Sequence, residues 1–343
     1  MKLREFQSYL RKNKIGAAIF AHPDPCITYF TQMVPSHAVL CITPKKATFL
    51  ITKLDKMKKV SGIDIQYFSK DWKKKLSKKT EKLGVNKQSL TVSSLENMKK
   101  MFPKAKVVDV SSTLTKLRET KTKKEIQCIS KACKITSNAF DALIQELPKK
   151  KLHTEQDVAF FLERHFQKEG GEVAFPTIAA VGKNAAIPHH VTSNALLQRG
   201  FLLIDFGAKY KNYCADMTRM IFLGKPSEEE KGWYNLLYTS QEDAHLAVAD
   251  GVKYSELDKT ARKSLGKYEK KFIHSLGHGI GLEVHENPVF SNGKVKHNVP
   301  FTIEPGIYFP GKFGLRIEDT VIFDGKLKVL TVASKKLPEI AGW

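Results

Sequence analysis

The sequence predicts a small α/β domain over residues 1–118 followed by a larger α+β domain over residues 119–343. Three observations lead there. The chain is long enough for two cores, with 343 residues of which 42% are hydrophobic. The spacing of apolar residues changes character near residue 120, and two pairs of apolar strands late in the chain each carry buried-looking acids.

The first domain shows short β-rich runs at 17–21, 39–42, 47–52 and 63–68, separated by turn residues and lysine-rich helical candidates. Its loops hold no concentrated set of His, Asp, Glu or Cys, so no catalytic site is expected in it. Residues 1–120 carry 25 basic against 9 acidic side chains, a net charge of +16 within a chain total of +22. Most of the excess is lysine in runs such as Lys73-Lys74-Lys75 and Lys78-Lys79. These runs lack the arginine and aromatic interleaving that phosphate clamping and base stacking favour, so they read as a solvated surface, not a nucleic-acid site. Lys2, Arg4, Arg11, Lys12 and Lys14 interrupt every apolar run near the start, and nowhere do eighteen apolar residues follow one another. Neither a signal peptide nor a membrane span is expected. Five cysteines without metal-type spacing (26, 41, 128, 133 and 214) point to reduced thiols in a cytoplasmic protein.

The second domain opens with Thr122-Lys-Lys-Glu125, the spacing in which a hydroxyl and a carboxylate satisfy each other's helix N–H groups. Ile126, Ile129, Cys133, Phe140, Leu143 and Leu147 then recur at three- and four-residue steps, giving a helix with one buried face that ends before Pro148. A second helix is expected over 154–168, capped by Thr154, packed through Phe161, Leu162 and Phe166, and stopped by Gly170. Ser227 with Glu230 opens a third.

Chemistry enters with the strands. Residues 201–207 and 212–222 form a predicted hairpin joined through Lys209 to Asn212, with Asp205 in one strand and Asp216 in the other. Residues 301–309 and 315–323 form a second around Pro310 to Gly314, carrying Glu304 and Glu318. A carboxylate set among Leu, Ile, Val and Phe stays charged only where a cation or donor set neutralises it. If the four converge, mutual repulsion raises their pKa values, and two divalent ions sharing bridging carboxylates resolve it. The bland reading is four unrelated acids facing water.

His274, His278 and His285 fall within twelve residues, interleaved with Gly277, Gly279 and Gly281. The glycines do not make a dinucleotide fingerprint, because a histidine follows the first of them and no βαβ unit frames them. His278 fits a neutral imidazole ligand and His285 a donor to substrate oxygen.

Taken together, the 203–208 segment with Asp216-Met-Thr-Arg, the run from Leu276 to His285, Thr302-Ile-Glu-Pro-Gly and Arg316-Ile-Glu-Asp resemble the metallopeptidases of the pita-bread fold, prolidase and aminopeptidase P above all. The likeness spans about residues 120 to 335, and the preceding α/β segment resembles the N-terminal domain those enzymes carry. The resemblance implies that Asp205, Asp216, His278, Glu304 and Glu318 ligate two metals, with Asp216 and Glu318 bridging. It implies that Glu304 is also the general base, that His285 and His189 contact the substrate carbonyl, and that Arg316 lies at the substrate site as partner of an inner carboxylate. The donor set, oxygen-rich with one nitrogen and no thiolate, favours Mn²⁺, with Co²⁺ or Zn²⁺ accommodated. Cys214 reads as packing. The implied substrates are proline-containing peptides, and the implied assembly is a homodimer.

Some prolidases have an arginine just after the Val-His-Glu-x-Pro segment, resembling a clamp for a dipeptide's carboxylate; this chain has Val289 there. That favours an Xaa-Pro aminopeptidase acting on longer peptides, with an Xaa-Pro dipeptidase as the alternative. A reading of another class is a non-catalytic binding protein of the same fold that contacts nucleic acid through its basic N-terminal domain. Such a protein has no physical need to keep five ligands.

Overall fold

The computed structural model describes residues 2–76 and 80–343. The chain divides into two compact units, one ending at Arg118 and the other running from Glu119 to Trp343. The first contains α1 (Lys2–Lys12), β1 (Ala17–Ala21), α2 (Pro25–Thr31), β2 (Ala38–Ile42), β3 (Ala47–Ile51), β4 (Asp64–Tyr67), α3 (Trp72–Leu76), β5 (Lys82–Val85), α4 (Val92–Met101), β6 (Lys106–Asp109) and α5 (Ser111–Glu119). Its six strands form one mixed sheet in the order β4-β3-β2-β1-β5-β6. Strands β5 and β6 escape the sequence pattern because each is four residues long, opens with lysine and has little apolar length to register. Gly84 in β5 also breaks its apolar run, and any side chain there would press on Ala18 and Val110. Lys73, Lys74 and Lys75 are exposed, whereas Lys78 and Lys79 lie outside the described residues.

The second unit begins with α6 (Lys123–Glu146) and α7 (Glu155–Lys168), each opened by a capping box, Thr122 with Glu125 and Thr154 with Asp157. Ile129, Cys133, Phe140, Leu143 and Leu147 are fully buried, as are Leu162 and Phe166, while Ile126 and Phe161 are half-buried. After β7 (Glu172–Val173) and β8 (Ile178–Val181) come β9 (Gly200–Phe206), β10 (Ala208–Tyr210), β11 (Tyr213–Cys214) and β12 (Met217–Leu223). Helices α8 (Glu228–Leu246) and α9 (Tyr254–Leu265) lead to β13 (His278–Gly279), β14 (Glu286–Val289), β15 (Pro300–Ile303), β16 (Gly306–Phe309), β17 (Phe313–Arg316), β18 (Asp319–Phe323), β19 (Leu327–Val329) and β20 (Glu339–Ile340). No described helix is long and apolar enough to cross a membrane.

Strand β9 shows why its sequence is apolar throughout. Leu202, Ile204 and Phe206 pack with Phe140, Leu143, Leu162 and Phe166 of α6 and α7. Phe201 and Leu203 point the other way and pack with Tyr234, Leu237 and Leu257 of α8 and α9. Both faces of the β20-β12-β9-β8 sheet are therefore covered, and the period-2 alternation of a half-exposed strand disappears.

The two long hairpins expected from sequence are each broken in the middle. The first is split between the pairs β9–β12 and β10–β11, and the second between β15–β18 and β16–β17. At the first break the chains touch: a side chain on Gly207 would fall 2.0 Å from the carbonyl oxygen of Ala215. The acids stand at these breaks. Asp216 lies between β11 and β12, Glu304 between β15 and β16, Glu318 between β17 and β18, and Asp205 is the penultimate residue of β9. An apolar run cannot reveal such a change of sheet, since both halves remain buried.

Arg219, 1% exposed, holds the two broken hairpins together. Its guanidinium donates to the carbonyl oxygens of Thr218, Glu318 and Ala333 and to Asp319 Oδ1, the last at 2.6 Å. Burial opposes the charge on Asp319, but Arg219, Lys335 and His245 together hold its carboxyl below the usual range. Arg219→Met is expected to destabilise the protein by about 3–5 kcal/mol, because it removes the main cation of a buried carboxylate and the donor to three buried carbonyls. Urea unfolding measures this, and a loss below about 1 kcal/mol would show that the pair does not tie the hairpins.

Candidate metal centre

Every predicted site residue except His190's neighbour His189 sits on or beside a strand end, and together they line one cleft of about 750 Å³. The walls add Phe175, Pro176, Ile178, Val191 and Val284. Asp216, His278 and Glu318 each offer a ligand atom, all within 4.8 Å of one another. His278 Nε2 lies 3.5 Å from Asp216 Oδ2 and 3.3 Å from Glu304 Oε1. On the other side of the ring, Nδ1 stands 3.1 Å from the carbonyl of Gly279, which can only accept a hydrogen bond. The proton therefore belongs on Nδ1, and the Nε2 lone pair faces the acids.

Three carboxylate oxygens here, Asp205 Oδ1, Asp216 Oδ1 and Glu318 Oε1, are buried and receive no hydrogen bond from the described residues. The sister oxygens of Asp205 and Glu318 are held, as is one oxygen of Glu304. Asp205 Oδ2 accepts from Arg316 Nη2 at 2.6 Å, Glu318 Oε2 from Thr218 Oγ1 at 2.7 Å, and Glu304 Oε1 from Thr302 Oγ1 at 3.0 Å. Burial, then the charges of Asp205 and Glu304, push the Asp216 carboxyl well above its ordinary range. Burial, then Asp216, Glu304 and Asp205, do the same to Glu318. Glu304 is also raised, chiefly by burial. Buried carboxylate oxygens without donors, grouped with an imidazole lone pair as in Asp216, Glu318 and His278, are a donor set for hard or borderline divalent cations.

Arg316 lies beneath this cluster with its guanidinium fully engaged. Besides Asp205, it donates to Thr218 Oγ1 at 3.0 Å, Tyr308 Oη at 2.8 Å and the Pro188 carbonyl at 3.4 Å. Burial disfavours its charge, but Tyr308, Asp205, Glu304 and Glu318 keep it cationic. Since Tyr308 Oη accepts from Arg316, its own proton goes to His274 Nε2 at 2.9 Å, leaving His274 neutral with Nδ1–H on the Ser275 carbonyl. Burial and Arg316 depress His274 to about 4, in agreement.

His285 sets its ring edge-on to His278, centroids 4.2 Å apart. Burial, then His278 and His189, depress its pKa to about 4, so it is neutral near pH 7. His189 is exposed at the cleft, while the adjacent His190 is turned away onto Glu155 at 2.9 Å. Glu155 is fully buried and also accepts from Val181 N, Asn184 and Ser193. The sequence gives no sign of this anchor, because Glu155 reads as an ordinary first-turn helix acid. Tyr308 and Thr218 likewise escape notice, each being an unremarkable strand residue until the fold sets it against Arg316. Cys214 is buried, its thiol pushed up to about 12 by that burial, in keeping with a packing role.

Residues 127–324 match the model of metallopeptidase family M24, and residues 2–120 match that of the creatinase/prolidase N-terminal domain. The chain belongs to metallopeptidase family M24. It is 35% identical to an Xaa-Pro dipeptidase of Pyrococcus furiosus over 98% of its own length and 99% of the relative's. Among solved structures, a prolidase of Pyrococcus horikoshii superposes with a TM-score of 0.91 at 34% identity, covering 98% of this chain and 99% of that one. An X-Pro aminopeptidase of Thermotoga maritima superposes with a TM-score of 0.88 at 31% identity, covering 95% and 98%. The pita-bread fold and peptidase class expected from the sequence hold, and membership of a metallopeptidase family implies divalent metal.

The raised carboxyls of this M24 chain have a sign that can be checked. Acids with elevated pKa bind more protons folded than unfolded, so their contribution to stability is present at low pH and is lost as pH rises through the elevated values. Stability of the chelator-treated protein should fall as pH rises above the ordinary carboxyl range in thermal unfolding, and the fall should be smaller in Asp216→Asn. Parallel curves for the two proteins would contradict the mutual repulsion described for this cluster.

Proposed function

We propose that this chain is a dinuclear metal-dependent exopeptidase that hydrolyses Xaa-Pro bonds in peptides longer than two residues. The observation that carries the reading is the grouping of Asp216 and Glu318, each with a donorless buried carboxylate oxygen, with His278 as ligand atoms within 4.8 Å of one another. In this reading Asp205, Asp216, His278, Glu304 and Glu318 would hold two divalent ions. Mn²⁺ suits the donors, and Co²⁺ or Zn²⁺ can replace it. Bound there, the ions supply an acidified water and polarisation of the scissile carbonyl.

The side chains do the rest. Glu304, with one oxygen fixed by Thr302, accepts a proton from the attacking water and delivers it to the departing proline nitrogen. His285, neutral with a pKa of about 4, donates to the carbonyl oxygen as charge builds there without adding a competing cation beside the metals. His189 approaches the same carbonyl from the other wall, its loop held by the His190–Glu155 contact. Arg316 keeps one oxygen of Asp205 occupied so that the other is presented to a metal. The apolar wall formed by Phe175, Pro176, Ile178, Val191 and Val284 suits a proline ring.

Substrate length turns on one missing charge. A dipeptide places a carboxylate next to the scissile bond, and a site built for it needs a free cation there. Among the cleft-lining residues the only arginine or lysine is Arg316, which is spent on Asp205, Thr218 and Tyr308. Val289 stands where a clamp arginine would follow His285. The alternative, an Xaa-Pro dipeptidase, is supported by the names of relatives in Pyrococcus furiosus and Lactobacillus delbrueckii. We place the protein in a reducing cytoplasm as a homodimer, a location supported by its five free cysteines.

Hydrolysis of an Ala-Pro series of two to five residues with Mn²⁺ should give higher kcat/KM for the longer members. Faster turnover of the dipeptide than of every longer peptide would establish the dipeptidase instead. Glu304→Gln should keep the fold and lose nearly all turnover; retained activity would remove it as the base. His285→Ala should lower kcat by about 10²-fold or more at unchanged metal content, as loss of an oxyanion donor does. Parallel loss of metal would make His285 a ligand.

A further inference from the structure

Lys121 is 3% exposed, in a chain whose other lysines mostly reach solvent. Its ammonium contacts Glu286 Oε1 at 2.7 Å, with the two side chains 1% and 7% exposed. Buried lysines are rare unless paired, and a neutral pair of the same shape would pack about as well. Folding alone therefore gives no reason for this ion pair, and its attachments supply one.

Glu286 is the residue after His285 and the first of β14, where it sits across the ladder from Gly279, the residue after His278. Its carboxylate is pressed against the loop joining the two histidines, since a side chain on Gly281 would come within 2.3 Å of Oε1. Oε2 accepts the Glu283 N–H at 3.4 Å. No hydrogen bond to the His285 ring is present among the described residues, so its direction rests on the backbone of its loop and on its edge-on contact with His278. Lys121 is a firm anchor. Its N–H donates to the Asn298 carbonyl at 2.8 Å, and the next residue caps the 24-residue helix α6.

We propose that Lys121 and Glu286 are positioning residues that fix the His285 imidazole over the scissile carbonyl. The pair ties loop 280–285 to the entry of α6, so that the ring does not have to be ordered when substrate arrives. The inference rests on the role given above to His285.

The test is a double-mutant cycle between His285→Ala and the combined change Lys121→Met with Glu286→Gln, which leaves no unpaired buried charge. In the wild-type background the combined change should lower kcat about 10²-fold, the scale of an ångström-size misplacement, with KM and metal content kept. In the His285→Ala background it should cost almost nothing more. Hydrogen exchange over residues 280–286 should be faster in the combined variant. An equal loss of kcat in both backgrounds, or unchanged exchange and turnover, would overturn the proposal while leaving His285 in place. Wild-type turnover in His285→Ala alone would instead remove the role of His285, and the positioning with it. Should the combined variant not fold, Glu286→Gln alone enters the same cycle with the same expected non-additivity.

Discussion

The second unit is arranged around the cost of bringing like charges together away from water. Asp205, Asp216, Glu304 and Glu318 come from four chain segments into one cluster, where burial and mutual repulsion favour the neutral forms of Asp216, Glu304 and Glu318. A fold gains nothing in stability from such a cluster by itself. The breaks in both hairpins make sense in this light, because a continuous ladder would alternate its side chains and could not turn acids from both strands onto one point. Splitting each hairpin between two sheets frees the backbone where a carboxylate must be aimed.

Around the acids lies a set of donors that fixes which oxygen is held and which is offered. Arg316 and Thr218 each take one oxygen of an acid and leave the other without a donor. Tyr308 and His274 extend this order outward, and the polarity of their hydrogen bonds follows once Arg316 is recognised as donor only. Arg219 performs the mechanical task, clamping the two hairpins through the Glu318 carbonyl and the Asp319 carboxylate. The same logic of tethering recurs at the substrate-facing histidines. His189 and His285 line the cleft, and in each case the following residue, His190 or Glu286, is fastened to a buried group at or beside a helix start.

Much of this was legible in the sequence, for reasons that differ by element. The capped helices α6, α7 and α8 announce themselves through Thr122 with Glu125, Thr154 as a cap, and Ser227 with Glu230, because capping is local. The acids were legible because a charge inside an apolar run is costly anywhere. Strands β5 and β6 were not, since four residues opening with lysine carry too little pattern, and the hairpin breaks were hidden because both halves of each strand stay buried. Nothing in the sequence joins Lys121 to Glu286 or Glu155 to His190, since such pairs are made by tertiary structure alone.

The central claim is that these carboxylates are discharged by bound cations and not by protons. Equilibrium dialysis of the purified protein against Mn²⁺ at pH 7.5, with metal counted by mass spectrometry, tests it most directly. The account predicts two ions per chain, and fewer once Asp216 or Glu318 is replaced by its amide. A folded protein that takes up no divalent ion under those conditions would contradict it.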